Sequence, residues 1–269
     1  MTPDPILSII TPVLNGKRFM EGCLQNVIDQ NCPHVEHIVL DGESQDGTVN
    51  IIRTYAEKYP HIIWVSQKDP GIYEALNRGT EMARGRIIGV LNVDDYYEPG
   101  VLNRVLEIFR DLPTPSFVAA NCKIVDEAGK FLALKKPSRL KLREILLGKE
   151  VCDHPENPSS YFYHKALHMK IGGYPPMPAI FDFDFLLKAL SKAHCVYVDE
   201  TWGNFRYMEG TITFREFTSG RGEKIYRGLL KKHRKSLSFR ERPVFYSRYF
   251  WHHAVKKLWH RLRSWFAGK

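Results

Sequence analysis

The sequence has no cysteine pattern typical of a metal site or of a disulfide framework. Its five cysteines are scattered along 269 residues, with no CxxC pair and no spacing like that of a zinc site. The pattern predicts reduced thiols, in the core or at the surface of a cytosolic protein. The cysteines are Cys23, Cys32, Cys122, Cys152 and Cys195.

Long hydrophobic runs are also missing. The apolar stretch near the N-terminus is interrupted by Thr11 and Pro12 and follows no basic segment, and no other stretch reaches the roughly 20 residues that a spanning helix needs. We therefore expect neither a signal peptide nor a membrane-spanning helix. The sequence has no visible repeat and no linker rich in Pro, Gly or Ser. A hydrophobic content of 43% then predicts one globular domain with an appendage.

Acidic residues are scarce only near the C-terminus. Residues 221–269 contain 15 Lys and Arg but two acids, whereas residues 1–220 contain 24 Lys and Arg and 28 acids. The protein is therefore a mildly acidic body followed by a basic extension. We expect any partner that binds through the positive charge to contact the extension.

Strand and helix patterns alternate through the first half of the sequence. Continuous apolar runs predict strands, and stretches with helical spacing lie between them. This alternation indicates a parallel sheet covered by helices on both faces, with ligands bound beyond the carboxyl ends of the strands. The predicted strands are 7–13, 35–40, 62–65 and 86–91, and the predicted helices are 17–30, 46–59, 72–83 and 99–110. Further on, strands are predicted at 117–125, 130–134, 160–163 and 195–198, with a helix at 181–193.

Acidic residues follow three of these strands. Asp41 comes after the second strand, Asp69 after the third, and Asp94 and Asp95 directly after the fourth. Aspartate is common in turns and helix caps, so each residue alone has an ordinary explanation. Together, at successive strand ends, they favour a ligand site at one edge of the sheet. The adjacent pair suits Mg²⁺ or Mn²⁺, which completes its shell with phosphate oxygens and water.

Five motifs, in this order and at these spacings, resemble a known family. They are SIITPVLN, VLDGESQDGT, KDPGIYEALNRGTEMARG, LNVDDYYEPG, and GGY followed by FDFDFLLKA, and they lie between about Ser8 and Tyr226. The set resembles the inverting family 2 glycosyltransferases, and most closely the bacterial members that build extracellular polysaccharide and lipopolysaccharide. The resemblance implies an α/β type-A glycosyltransferase fold, in which a Rossmann-like, mostly parallel sheet binds the nucleotide. A basic, helical C-terminal extension would follow it.

The resemblance also implies a division of the chain. Residues 1–220 would form the glycosyltransferase domain, with the nucleotide-sugar part at about 1–115 and the acceptor side at about 116–220. Residues 221–269 would form the extension. The expected donor is a nucleoside-diphosphate sugar with UDP as the favoured nucleotide, and the expected acceptor is a saccharide or a lipid-linked molecule.

Positions in the first two motifs would bind the nucleobase. By the resemblance, Thr11, Pro12 and Val13 line the base pocket, and Asp41 accepts a hydrogen bond from a uracil or guanine ring. Asp69 and Arg78 would flank the nucleotide.

The NVDD segment would provide the metal site. By the resemblance, Asp94 lies towards the ribose and Asp95 binds the Mn²⁺ or Mg²⁺ that bridges the diphosphate. The segment departs from a strict DxD motif, which shifts the expected metal contact to Asp95.

The acidic pair of the last motif would provide the catalytic base. Phe181 stands where the family usually has Glu, and Asp182 then resembles the base that takes the proton of the acceptor hydroxyl. Asp182 also has an ordinary explanation as a helix cap, and the two roles are compatible. Asp184 is the alternative base.

The end of the extension has the periodicity of an amphipathic helix between residues 249 and 266. Trp and Leu fall on one face and Lys, Arg and His on the other, which is typical of a helix lying in a membrane interface. A helix packed on the body with a solvated outer face is the alternative. Nucleic-acid binding is not expected, because no recognised motif accompanies the charge. From the membrane alternative we expect a peripheral protein at the inner, cytoplasmic face of the cytoplasmic membrane.

Two other function classes are alternatives to a transferase. A sugar-nucleotide pyrophosphorylase shares the α/β layout, but would be expected to have a Gly-rich basic loop after the first strand, where this chain has TPVLNGKRF. A non-catalytic membrane-binding module would not be expected to retain Asp41, Asp94, Asp95 and Asp182 together.

Overall fold

The computed structural model describes residues 4–138, 140–147, 154–155, 157–177, 179–211, 214–215 and 219–247. The strands are β1 (Leu7–Val13), β2 (Val35–Asp41), β3 (Ile62–Ser66), β4 (Ile87–Val90), β5 (Tyr96–Tyr97), β6 (Ser116–Val125), β7 (Phe131–Lys135), β8 (Tyr161–His164) and β9 (His194–Arg206). The helices are α1 (Lys17–Asp29), α2 (Thr48–Lys58), α3 (Ile72–Met82), α4 (Val101–Phe109), α5 (Leu142–Leu147), α6 (Lys165–Ile171), α7 (Phe181–Lys192) and α8 (Arg221–His233).

All the strands belong to a single sheet in the order β3-β2-β1-β4-β8-β6-β9-β5, with β7 paired to β6. The first four strands are parallel to one another, as their apolar runs predicted. The second half adds antiparallel pairs around β8 and a long parallel pair between β6 and β9. The predicted α/β class with a mostly parallel sheet is confirmed.

Helices cover the sheet on both faces, which explains why all seven residues of β1 are buried. Ile9 packs into a core cluster that contains Leu24 of α1 and Val105 of α4. Its neighbour Ile10 packs on the opposite face, in a cluster that contains Leu187 of α7. Adjacent strand residues point to opposite sides, so a strand between two helical layers has no polar face.

The first part of the basic extension packs against the body. Leu229 of α8 and the later residues Leu237 and Phe245 are buried in the same core cluster as α5 and α7. Glu241 also forms an ion pair with Arg143 of α5. The described part of the extension, residues 221–247, therefore packs on the body. The predicted amphipathic helix at 249–266, to which the membrane and packed alternatives apply, lies outside the described residues.

The structure differs from the sequence prediction in three places. β5 has only two residues, α6 had no helical signal that we recognised, and β9 is 13 residues long where four were predicted. None of the described helices is both long and apolar enough to cross a bilayer.

We predict that Phe245→Ala lowers the free energy of unfolding by about 3–5 kcal/mol, the usual effect of truncating a buried Phe. Phe245 is 2% exposed, whereas its neighbour Val244 is 42% exposed. Val244→Ala is the matched control and should change stability by no more than about 0.5 kcal/mol. Urea denaturation measures both, and equal effects would show that this segment is not part of the core.

Candidate active site

The carboxyl ends of the first strands bring several predicted site residues together. Val13 of β1 pairs with Asp41 of β2, and Asp41 pairs with Ser66 of β3. β4 lies on the other side of β1 and leads into Asp94 and Asp95. The acids that follow β2 and β4 therefore lie at the same edge of the sheet, where α/β folds bind ligands.

Asp41 is fully buried but keeps one carboxylate oxygen available. Its Oδ2 accepts hydrogen bonds from the N–H groups of Glu43 and Ser44, both at 3.1 Å, and from Ser66 Oγ at 2.6 Å. Its Oδ1 has no hydrogen-bond partner among the described residues. A buried acceptor left unpaired costs about 1–3 kcal/mol, so an N–H donor from a ligand would be favourable here. The sequence did not point to Ser66, which orients this carboxylate.

The Thr11 side chain is committed to the interior. Its hydroxyl lies 2.8 Å from His37 Nε2 and 3.8 Å from Cys23 Sγ. Burial lowers the pKa of His37 to about 3, so its imidazole is neutral. Only the main chain of Thr11 can therefore line a pocket. Pro12 and Val13 are also buried, and their predicted contact with a base stays a prediction.

Asp69 and Arg78 neutralise each other. Arg78 donates through Nη1 and Nη2 to the two oxygens of Asp69 at 2.5 and 3.1 Å. Arg78 Nε is buried and has no acceptor in the described part of the chain. A bidentate pair fixes the guanidinium plane and uses two of its five N–H groups, so Arg78 keeps three N–H donors but no unpaired charge. Contact of this pair with a nucleotide stays a prediction.

Asp95 is fully engaged by the protein. Its Oδ2 accepts hydrogen bonds from the amide groups of Asn92 at 3.0 Å and Asn157 at 2.8 Å, and its Oδ1 accepts one from the main-chain N–H of Arg206 at 3.0 Å. Burial, with the charge of Asp94 adding to it, raises the pKa of Asp95 to about 7. Three of the roughly four lone-pair sites of the carboxylate are therefore occupied by protein donors, and the residue is 2% exposed. The sequence-based assignment of the metal to Asp95 stays a prediction.

Asp94 has the opposite environment. It is partly exposed, and no other side chain within the described ranges donates a hydrogen bond to its carboxylate. Burial raises its pKa, and the charge of Arg206 partly offsets that rise. The described residues contain no cluster of three acids, His or Cys that could enclose a metal. One carboxylate is nevertheless enough for Mg²⁺ or Mn²⁺ when phosphate and water supply the other ligands, so Asp94 fits.

Arg206, at the end of β9, closes this part of the site. Its Nε donates to the main-chain oxygen of Asp94 at 3.1 Å and its Nη1 to that of Glu127 at 2.9 Å. Its guanidinium lies 5.4 Å from the centre of the Phe19 ring and 5.5 Å from that of Tyr96. Sequence reasoning missed Arg206, because it is 112 residues away from Asp94, whose main-chain oxygen it contacts.

Asp182 lies in the first turn of α7 and is partly buried. Its Oδ1 accepts a hydrogen bond from the N–H of Phe183 at 2.9 Å. Burial raises the pKa of Asp182 to about 6, which is suitable for a base that works near neutral pH. Burial, with the charge of Asp182 adding to it, raises the pKa of Tyr161 well above its usual value. Tyr161 is the first residue of β8 and directly follows the turn that contains Asn157.

Asp184, the alternative base, is instead a structural anion. It is fully buried and lies 2.9 Å from Nζ of Lys188, 3.0 Å from Nζ of Lys232 and 3.4 Å from Nε2 of His233. Burial alone would raise its pKa, but the hydrogen bonds from His233, Lys188 and Lys232 hold it well below the usual range. A carboxylate neutralised in this way is a poor proton acceptor. Asp184 connects α8 to α7 through these ion pairs, which disfavour the alternative assignment of Asp184 as the base; that assignment stays a prediction.

Comparison with known proteins gives one family. The family model described as glycosyl transferase family 2 matches residues 8–170. The chain is 27% identical over 221 residues to a PGL/p-HBAD biosynthesis glycosyltransferase of Mycobacterium bovis, covering 79% of this chain and 82% of that protein. It is 26% identical over 184 residues to chondroitin synthase of Escherichia coli, covering 68% of this chain but only 26% of that protein.

Solved structures with the same fold include two nucleotide-sugar complexes. One is S. aureus TarS 1-349 with UDP-GlcNAc, with a TM-score of 0.63 and 17% identity over 90% of this chain and 79% of that one. The other is the mannosyltransferase PcManGT from Pyrobaculum calidifontis with GDP-Man and Mn²⁺, with a TM-score of 0.63 and 18% identity over 93% and 71%. At these identities the likeness establishes the fold.

We predict that Asp184→Asn lowers the free energy of unfolding by about 2 kcal/mol. Removing one partner of a fully buried pair typically costs about 3–5 kcal/mol, and the smaller value follows because Lys232 is 61% exposed and can turn towards water. Glu107→Gln is the matched control, since its carboxylate pairs with Arg104 at 3.1 Å and both side chains are about half exposed at the surface. Denaturant unfolding should leave the control unchanged. Equal stabilities of both variants would contradict the anchoring role of Asp184.

Proposed function

The chain belongs to glycosyl transferase family 2, and we propose that it transfers a sugar from a nucleoside-diphosphate sugar to a saccharide or lipid-linked acceptor in cell-surface polysaccharide synthesis. The observation that carries this proposal is the pair of available carboxylate oxygens, on Asp41 and Asp94, at one edge of the sheet. The first suits an N–H of a nucleobase. The second suits a cation bound to a diphosphate.

A UDP-sugar is the donor that we favour. TarS is a structural neighbour solved with UDP and with UDP-GlcNAc, which supports a uracil nucleotide, although the GDP-Man complex of PcManGT shows that this fold also accommodates guanine. In either base an N–H group could reach the free Oδ1 of Asp41. Pro12 and Val13 would form the wall beside it, and Asp69 with Arg78 would flank the phosphates.

We assign the divalent cation, Mn²⁺ or Mg²⁺, to Asp94 in place of Asp95. Asp94 has the free carboxylate, whereas each oxygen of Asp95 already accepts protein hydrogen bonds. A bound cation would neutralise the charge that develops on the leaving diphosphate. The role of Asp95 is then to hold the turns of Asn92, Asn157 and Arg206 around the site. The Mn²⁺ complex of PcManGT is consistent with a metal-dependent enzyme.

The proposed transfer is a single displacement that inverts the anomeric centre. Asp182 accepts the proton of the acceptor hydroxyl as that oxygen attacks the sugar carbon and the bond to the diphosphate breaks. With a pKa of about 6, Asp182 is ionised at pH 7 and still basic enough to receive the proton. The buried position of the carboxylate and its hydrogen bond from Phe183 hold it in one orientation.

Two alternatives have less support. Membership of a glycosyl transferase family argues against a pyrophosphorylase, and a pKa raised to about 6 at Asp182 argues against a vestigial site in a membrane-binding module. For the location we propose the inner face of the cytoplasmic membrane. The helix predicted at residues 249–266 would bind its anionic lipids, and no nucleic-acid partner is proposed.

We predict that Asp94→Asn removes the Mn²⁺ dependence of UDP binding without changing the melting temperature of the free protein. Its carboxylate has no side-chain partner in the described structure, so the amide disturbs no internal contact, but the amide cannot hold the cation. Asp95→Asn is the matched variant. This variant should lower the melting temperature, because its NH₂ group would face the N–H donors that now bind the Asp95 carboxylate. The fraction that stays folded should still bind UDP more tightly in Mn²⁺. Thermal shifts with UDP, with and without Mn²⁺, measure both.

The opposite behaviour of the two variants would support the sequence-based assignment of the cation to Asp95. If Asp95→Asn loses the Mn²⁺ response at an unchanged melting temperature while Asp94→Asn keeps it, the metal belongs to Asp95.

We predict that turnover of the parent enzyme falls as the pH drops below about 6, because protonation of Asp182 removes the base. Asp182→Asn should lower kcat by roughly two to four orders of magnitude and abolish this acidic limb, with UDP affinity nearly intact. Steady-state rates across pH measure both effects. An equal loss of UDP affinity would instead place Asp182 on the donor side.

A further inference from the structure

Phe239 is an apolar side chain that the fold holds out into solvent. It is 85% exposed, more than any other large hydrophobic residue in the described ranges. It lies in the turn that connects α8 to a helix beginning at residue 242. Single exposed apolar residues are common at protein surfaces, so exposure alone does not indicate a function.

The turn around Phe239 is a fixed structure. Ser238 donates from its N–H and its hydroxyl to Glu241 Oε2 at 3.0 and 2.7 Å, as in a helix cap. Glu241 is itself paired with Arg143. Leu237 and Phe245, on the two sides of the turn, are only 3% and 2% exposed. The protein therefore anchors both ends of the segment in its core and presents Phe239 at the tip.

Exposed cations lie near Phe239 in the sequence. Lys231, Lys235 and Arg240 are exposed, and none of them forms an ion pair with a carboxylate within the described part of the chain. The nearest acid in sequence, Glu241, is neutralised by Arg143. An exposed apolar ring next to free cations matches a surface that is apolar inside and anionic outside.

We propose that this turn, residues 235–244, docks on an anionic lipid bilayer and inserts Phe239 into its interface. The inference rests on the proposed function, in which the acceptor lies at a membrane. The sequence that follows, with Trp and Leu on one predicted helical face and Lys, Arg and His on the other, continues the same chemistry. Phe239 would then fix the orientation in which the body sits on the lipid.

Sedimentation of the full-length protein with vesicles tests the proposal. With vesicles of phosphatidylcholine and phosphatidylglycerol, Phe239→Ser should lower the partition coefficient about tenfold, the effect of losing one buried aromatic ring. Phe239→Trp should keep the binding. Phe131→Ser is the matched control, because Phe131 is 56% exposed on β7 and follows a lysine, Lys130. The control should bind like the parent.

The cations give a second, independent prediction. Lys235→Gln and Arg240→Gln should each lower binding to the anionic vesicles about fivefold and should have little effect on binding to pure phosphatidylcholine. Arg53→Gln, an exposed cation on α2, is the control. The proposal is overturned if Phe239→Ser binds vesicles like the parent, or if Phe131→Ser loses as much. It is also overturned if Phe239→Ser changes only the oligomeric state in light scattering, since the turn would then contact protein.

A failure of the proposed function would be seen separately. Phe239→Ser should bind UDP with Mn²⁺ as the parent does, because the turn lies outside the nucleotide site. Loss of vesicle binding in a protein that binds no nucleotide at all would support the lipid contact and contradict the transferase assignment.

Discussion

The burial of Asp95 joins the two halves of this molecule. A buried carboxylate is strongly unfavourable unless hydrogen bonds satisfy it. Asp95 receives them from Asn92 after β4, from Asn157 before β8 and from the main chain of Arg206 at the end of β9. Three segments that are remote in sequence are thereby held around one point. Gly203 permits this arrangement, because a Cβ there would lie 2.2 Å from Ser159 Oγ and 2.7 Å from the Ser159 main chain.

The roles of the other acids follow from how well the protein satisfies each one. Among the described residues, side-chain donors reach the carboxylate of Asp95 but not that of its neighbour Asp94. Asp41 has one oxygen in hydrogen bonds and one without a partner in the same part of the chain. On α7, Asp184 is neutralised by cations from α7 and α8, whereas Asp182, two residues earlier, has no cationic partner within the described ranges and has a raised pKa. Environment rather than residue type distinguishes a structural anion from a metal ligand or a base.

Much of the fold was predictable because the sequences of buried parallel strands are continuous runs of apolar residues. The observed bounds of β1 are those predicted, and those of β2, β3 and β6 differ by one residue. β9 was underestimated because its second half, residues 199–206, mixes charged, polar and aromatic side chains, and β5 is too short to have a pattern. The acids at strand ends were predictable for the same reason. The sequence could not predict which carboxylate oxygens are occupied by protein hydrogen bonds. The donors that decide this are far from the acids in the sequence, and only the tertiary structure brings them together. They are Ser66 for Asp41, Asn157 and Arg206 for Asp95, and Lys232 for Asp184.

The central claim is that the edge of the sheet between Asp41 and Asp94 binds a nucleoside diphosphate through a divalent cation. Titration calorimetry of the intact protein with UDP and GDP, in Mn²⁺ and again in EDTA, tests it most directly. The account predicts saturable binding of one nucleotide per chain in Mn²⁺, with a preference for one base, and a large loss of affinity in EDTA. Absence of binding for both nucleotides in Mn²⁺, or equal affinity in EDTA, would contradict it.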